Sequence, residues 1–538
     1  MLIPGISLNE IDIDWTRVIY YLCKVIIEAV SLNLKRNMKH FILYLLMFFV
    51  TLPTFVFGIY STPGNNSSFT LQDLVAVSSG AVTFSSGEFQ MNDTIIISNS
   101  DTLKIITDET VRFATSTYLG ISGTLIIDPP MQVLFSAIDT TARYLGVRVD
   151  ESNSSVVRNL IFEYANSFRI FNCNMLIDSC TFRYNTSNTS FGNAAISLFN
   201  AKPVITNSEF IYNRRAAIQG GANIANAPII SGNTFMYNNT GNSNVPQINL
   251  GSTGNDTTFI INNQILRAST NSGGIAFLPI GNANIVISGN TIKNNRYGLT
   301  LQGGSNINAR IFSNIIDSNN TQNNPNLGGS GLNFIGSSPQ NTVVTGNVIR
   351  WNLWGITIQN QAKPNIGNIV NSDTSDNGKN YFFANGNSGQ LFDLYNNTPD
   401  SIYAQNNNWG VDNPDSVEAR IFHKPDDPSL GFVNYLPIMV TGISNENLNY
   451  TDGFKLLQNY PNPFNPETTI KFSIPEYTAV TLEVFDVTGK LLYTLISTEL
   501  QAGSYSMKFN ANSLASGIYF YKLTAGNYQA TRRFILLK

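Results

Sequence analysis

The chain has 538 residues, more than one ordinary globular core holds, so several domains or a repetitive architecture are required. Only 12% of the residues are charged and the net charge is −3, which argues against nucleic acid or an anionic membrane as a partner. His40 and His423 are the only histidines, so metal binding is not expected and no cofactor is called for.

From the start, residues 41–57 (FILYLLMFFVTLPTFVF) form the one long apolar run with a basic approach, Lys35, Arg36 and Lys39. At 17 residues with Pro53 inside, it is short of the roughly 20 that a membrane span needs. A basic start at Met38-Lys39-His40, an apolar core and small Gly58 two residues after Val56 read instead as a signal peptide over 38–58. Residues 1–37 then read as an over-extended start. The rival is a two-helix anchor using 18–31, against which Lys24 and Glu28 count.

The body, 59–440, is organised by a repeated octet. Eight segments align without gaps: RNLIFEYA at 158, DSCTFRYN at 178, TNSEFIYN at 206, SGNTFMYN at 231, INNQILRA at 261, SGNTIKNN at 288, FSNIIDSN at 312 and TGNVIRWN at 345. Their fifth positions are apolar throughout: Phe162, Phe182, Phe210, Phe235, Ile265, Ile292, Ile316 and Ile349. These positions lie 20 to 33 residues apart, a period that marks a solenoid with one strand-turn unit per coil. β-branched and aromatic residues alternate with small polar ones, as in strands with one buried face. The third position is Asn in Asn233, Asn263, Asn290, Asn314 and Asn347, and the eighth is Asn in six coils. Asn tolerates left-handed backbone at a corner, and stacked in register its amides can form a structural ladder. This pattern resembles the right-handed parallel β-helix family, the pectate-lyase-like solenoids and their noncatalytic surface relatives, over about 70–440. Residues 101–127 look like plainer early coils and 406–437 like a closing coil.

Enzymes of that family use clustered acids, for Ca²⁺ or for paired-carboxylate hydrolysis. Between 155 and 365 the only acids are Glu163, Asp178, Glu209, Asp256 and Asp317, and no two share a repeat position on neighbouring coils. SDTSDNGKN at 372–380 lacks the closing Glu of a Ca²⁺ loop and reads as a turn. Two features remain as a candidate glycan-binding surface. Tyr164, Tyr184, Tyr212 and Tyr237 hold the seventh position of four successive coils. Outward they would form an aromatic stripe; inward they would be core. Strand alternation puts them inward with position five, unless the chain turns first. Arg183, Arg214, Arg215, Arg267, Lys293, Arg296 and Arg350 gather at positions six to ten, opposed only by Glu163 and Asp317. Inserted loops at about 186–193, 240–245 and 320–330 fall at the same corner. The expectation is a basic strip engaging an acidic polysaccharide. Cys173 and Cys180 could pair or could be buried as small apolar residues.

Residues 441–453 are polar and read as a linker. From 454 to 538, alternating apolar residues broken by turns every 8–12 residues predict a small Ig-like β-sandwich. YPNPFNP (Tyr460, Pro461, Asn462, Pro463, Phe464, Asn465, Pro466), FDVTGKLL with Gly489, GSY from Gly503, SGIYFYKL with Gly517 and Tyr519, and a basic, apolar last strand resemble the C-terminal sorting domain of the bacterial type IX secretion system. The resemblance implies type IX machinery and its processing peptidase as partners, a periplasmic step, and a secreted or outer-membrane-surface product. The expectation for the whole is an all-β, exported, noncatalytic adhesive or glycan-binding solenoid. The alternatives are a polysaccharide lyase or glycoside hydrolase, and a passive envelope or matrix scaffold.

Overall fold

The structure, a computed structural model, describes residues 58–439 except 153 and 187–191, the backbone of 443–445, and 453–538 except 476–477, 501–502 and the side chains of 498–499. The segment expected as over-extended start and signal peptide, save Gly58, lies outside the described residues, as does most of the expected linker.

Three parallel sheets run along the solenoid. The chain visits them in rotation: Thr94–Ile97 in the first, Thr102–Ile105 in the second, Thr110–Phe113 in the third, then Tyr118–Ile121 in the first again. The first sheet has 14 strands, ending at Ile421–Phe422; the second has 11 and the third 13, of which the first, Val82–Ser85, pairs antiparallel with Glu88–Met91. Each strand pairs with its counterpart one coil on, so that Phe162 faces Phe182, Phe182 faces Phe210 and Phe210 faces Phe235. This is a parallel β-helix.

The octet shows how short polar-apolar runs close a coil. Position one ends a strand of the second sheet. Position two is a one-residue corner with positive φ, from 49° at Asn207 to 69° at Gly232. Positions four to six form the third sheet with only position five inward. Position seven is a second positive-φ corner, from 48° at Arg267 to 57° at Asn294. The left-handed residue is therefore the one before each ladder asparagine, not the asparagine itself. The asparagine follows that corner and turns its amide inward to satisfy backbone groups that the corner strips from the sheets, as Asn290 does for the Ile260 carbonyl.

Two interior amide columns result. At position three, Asn233, Asn263, Asn290, Asn314 and Asn347 each donate Nδ2 to the next Oδ1 at 2.9–3.1 Å, and the column continues to Asn380 and Asn407. At position eight the column runs from Asn185 through Asn213 to Asn238, then from Asn295 through Asn319 and Asn352 to Asn385. Ala268 breaks the pattern there, and Gln247, just before the first-sheet strand Ile248–Leu250, bridges the gap between Asn238 and Asn295 at 2.9 Å on either side. The column ends on buried Asp393, whose Oδ1 accepts from Asn385 at 2.8 Å. Burial raises the Asp393 pKa to about 6, against hydrogen bonds and Arg420 that lower it.

Apolar columns fill the remaining interior. Phe182, Phe210 and Phe235 stack nearly parallel, with centroids 5.0 and 4.8 Å apart, before isoleucines take over. Trp409 closes the far end, stacked on Phe382 at 4.5 Å. Cys173 and Cys180 are both buried thiols without a disulfide, and burial raises their pKa values to about 11 and 12.

The C-terminal region is a sandwich of two four-stranded antiparallel sheets with its own core, including Ile470, Val484, Tyr521 and Phe534. Ile443–Asn445, in the expected linker, adds an edge strand to Gly503–Asn510; backbone hydrogen bonds alone suffice for an edge, so no apolar alternation announces it. The YPNPFNP segment is stapled to the last strand. Asn462 Oδ1 accepts from the Ile535 amide at 2.8 Å, and Phe464 buries its ring while exchanging backbone bonds with Ile535 and Leu537. Thr468 donates to the Pro461 carbonyl, and Ala511 donates to that of Pro466. Gly489 holds φ 84° at a hairpin, and Tyr519 donates to the Ala515 carbonyl.

Candidate functional site

The tyrosine series sits on the position-seven corner, so it turns outward before strand alternation can take it in. Tyr164, Tyr184, Tyr212 and Tyr237 have φ of 54–56° and stack face to face, with centroids 5.4, 5.8 and 5.2 Å apart and interplanar angles of 17°, 2° and 6°. Tyr184 and Tyr212 are 38% and 39% exposed. Because each ring covers its neighbour, the stripe offers solvent its edges and hydroxyls. The guanidinium of Arg143 lies 5.3 Å over the first ring, and Arg267 Nη1 donates to the Tyr237 hydroxyl at 3.0 Å at the other end.

The seven basic residues do not act as one strip. Arg183 Nε pairs with Glu163 at 2.7 Å. Lys293 and Arg350 both pair with buried Asp317, at 3.1 and 2.9 Å, in a third-sheet column where Lys293, Asp317 and Arg350 are successive rungs. Arg296 reaches into the inserted loops, donating to Asn244 Oδ1 at 2.6 Å and to the Leu327 carbonyl. Arg214 is exposed and Arg215 half-buried.

Of the inserted loops, those at 240–245 and 320–330 both bond to the intervening loop at 270–271, while most of the loop at 186–193 lies outside the described residues. Asn271 donates its amide to Asn242 Oδ1 at 2.8 Å, and Thr321 Oγ1 donates to the Thr270 carbonyl at 3.1 Å. They form a wall beside the outer face of the first sheet. Along that face the residue after each inward apolar position points out: Ser197, Gln219, Asn249, Ala276, Thr300, Asn333, Thr357, then Tyr395 and Phe422. None of these is charged, although the same column holds Arg148 and Arg169 on the two coils before Ser197.

Where the longest loop meets this face, a cleft of about 260 Å³ opens between residues 325–328 and the sheet. One wall is aromatic: Trp354 lies 4.7 Å from Phe392 and 5.3 Å from Tyr395, centroid to centroid. Its indole Nε1 donates to the Pro325 carbonyl at 3.0 Å, which fixes the ring against the loop. The floor is polar. Gln359 Nε2 donates to Asn333 Oδ1 at 2.9 Å, Thr357 and Ser330 share a hydrogen bond of 2.8 Å, and Asn397 completes the lining. Burial, followed by nearby Asp427, raises the Tyr395 pKa, so its hydroxyl stays protonated. The lining holds no carboxylate, lysine or arginine. A second cleft, about 560 Å³, lies across Pro325 against the hairpin at 386–391, but none of its lining residues is aromatic. Among the described residues no group of three or more His, Cys, Asp or Glu could hold a metal ion.

Sequence reasoning missed this cleft, although a signal was present. Adding one to each apolar entry position (Ile218, Ile248, Leu299, Leu332, Ile356) gives the outward column. Tyr395 had no such marker, because an insertion of variable length separates it from its neighbour Thr357.

Comparison with known proteins bears on both regions. Residues 458–537 match the family model of the secretion system C-terminal sorting domain. No curated protein matches the chain. Among solved structures it is similar to mutant tailspike proteins of the E. coli bacteriophage HK620 in complex with pentasaccharide. One matches with TM-score 0.32 and 9% identity, and another with 0.27 and 10%; each alignment covers 89% of this chain and 86% of the tailspike. The sandwich at the end of this chain is a type IX secretion sorting domain, carried behind a parallel β-helix, and marks the protein for export to the cell surface or beyond.

Proposed function

We propose that the exported solenoid is a noncatalytic glycan-binding or adhesive protein, and that the cleft beside Trp354 takes an uncharged sugar. The observation that carries this reading is the cleft itself. A ring fixed by hydrogen bonding presents an apolar wall, and amides and a hydroxyl on a rigid sheet supply orienting polar groups. Preorganised groups lose little entropy on binding. A lining without carboxylates favours holding a sugar over cleaving it. The charges at the corner favour a neutral ligand in the cleft, since four of the seven basic residues are engaged with Glu163, Asp317 or the loops. In this reading the sorting domain serves as an address: the chain crosses the periplasm, and a processing peptidase removes the domain as the solenoid is anchored or released.

The test is a glycan array on the exported protein, with a reducing-end release assay on every hit. Binding to neutral oligosaccharides without release supports the proposal. Turnover would establish the enzyme reading, and no binding to any glycan would leave the scaffold.

A further inference from the structure

The motifs of the sorting domain do more than build its core. In the sheet of Thr478–Phe485, Leu491–Leu500, Gly517–Ala525 and Tyr528–Leu536, successive residues face opposite ways. The inward set, including Val484, Tyr519, Tyr521 and Phe534, fills the sandwich core. At one end of the same strands the outward set is apolar too. Phe485 stands opposite Leu491 on one side and Phe520 on the other, and Ile518 stands opposite Ile535. Ile518 and Leu491 are 45% and 47% exposed, the other three are half-buried, and none of the five belongs to the core cluster. Each motif supplies part of this patch. Phe485 and Leu491 come from FDVTGKLL, Ile518 and Phe520 from SGIYFYKL, and Ile535 from the last strand.

A sandwich needs its inward residues to fold. It does not need apolar residues on the outward face, which in an antiparallel sheet commonly meets water and is polar. Apolar side chains gathered there mark a surface that a partner covers. The surroundings of the patch are basic. Arg533 stands opposite Phe520, and exposed Lys490 precedes Leu491. From 454 to 538 the chain carries eight Lys and Arg against five Asp and Glu, a net +3 within a chain of net −3. An apolar centre with a basic rim is complementary to an apolar surface rimmed by acids.

We propose that this patch, centred on Phe485 and Phe520, is the face by which the sorting domain docks on the type IX export machinery, against an apolar surface with an acidic rim. The occupant follows from the domain's family. The match over 458–537 makes handling by that machinery the domain's task, and all five patch residues lie within it. The docking face is independent of the cleft and rests on the reading of the domain as an address.

The test expresses the full chain in a bacterium with type IX secretion and separates periplasm from cell surface. Phe485→Thr combined with Phe520→Thr keeps strand-forming residues and leaves the core untouched, and a melting curve of the purified full chain checks that it folds. Its surface display should fall by about tenfold or more, with the chain held in the periplasm, as expected when two central contacts of an interface are lost. Arg533→Glu should produce a smaller loss. Ile518→Thr alone, at an exposed position, should also lower display, and serves if the double variant melts early. Lys508→Ser, on the outer face of the other sheet, should be displayed as the wild type is. Normal display of the folded patch variants would overturn the proposal; if deletion of 454–538 still abolished display, the address reading would stand without it. A wild-type dimer in sedimentation that the double variant turns into a monomer, with display intact, would give the patch to a second copy and overturn the proposal as well.

Discussion

At the corner between the third and first sheets two columns run side by side, one residue apart in every octet. The inner column, position eight, is Asn in six of eight coils, and where Ala268 interrupts it Gln247, from the bend before Ile248, fills the gap. The outer column, position seven, reads Tyr, Tyr, Tyr, Tyr, Arg, Asn, Ser, Trp. Both stack in register with the same rise. The difference lies in what a wrong residue costs. A buried amide partner left unpaired costs about 1–3 kcal/mol, so the interior column tolerates few substitutes. The exterior column meets water, and its one demand is a left-handed backbone that any residue accepts at a cost of about 1–2 kcal/mol. Chemistry for partners is therefore written on the outside, in the positions that folding leaves open.

The comparison extends first to the two domains. Removing 454–538 should leave the solenoid folded, because its core is separate, yet abolish surface display. Cell fractionation checks this, and normal display of the truncated chain would break the division between body and address. Within the solenoid, Asn290→Leu strips hydrogen bonds from the Asn263 amide, the Ile260 carbonyl and Asn314 together. A loss of about 3 kcal/mol is expected in denaturant unfolding. An unchanged midpoint would mean that the inner column is not what holds the coils.

The inner column also ends in a titrating group. Asp393 has a raised folded-state pKa of about 6 against an ordinary value of 3.8. A raised carboxyl contributes stability below the unfolded pKa and loses it as pH climbs through the folded one. Asp393→Asn should therefore gain on the wild type between about pH 4 and pH 7, by up to about 3 kcal/mol. Melting curves at both pH values check this, and a constant difference would show that the ladder's last rung does not titrate in that range. The smallest effect belongs to the outer column. Tyr212→Gly loses two ring contacts of about 0.5–1.5 kcal/mol each but relieves left-handed strain. The net change should stay within about 1 kcal/mol; a much larger loss would make the tyrosines structural.

How much of this was legible follows the same division. The octet announced itself because its interior positions repeat: Phe162 to Ile349 and the asparagines after each corner. The sorting domain was legible from motifs such as Tyr460 to Pro466, whose Asn462 and Phe464 lock the last strand. The tyrosine orientation was not, since alternation predicts an inward side chain until the one-residue corner is known. Nor were the partners of Lys293 and Arg350, which meet Asp317 only across coils of unequal length. Trp354 and Tyr395 are 41 residues apart in the chain and neighbours in space, and only the register of the coils joins them.

The central claim is that the exported solenoid binds an uncharged sugar against Trp354. Calorimetric titration of the exported protein with the best neutral oligosaccharide from the array tests it, using wild type, Trp354→Ala and Arg214→Ser. The account predicts that Trp354→Ala loses about 1.4 kcal/mol or more, a tenfold weaker complex, while Arg214→Ser binds as the wild type does. A Trp354→Ala protein that is folded and binds with wild-type affinity would contradict it.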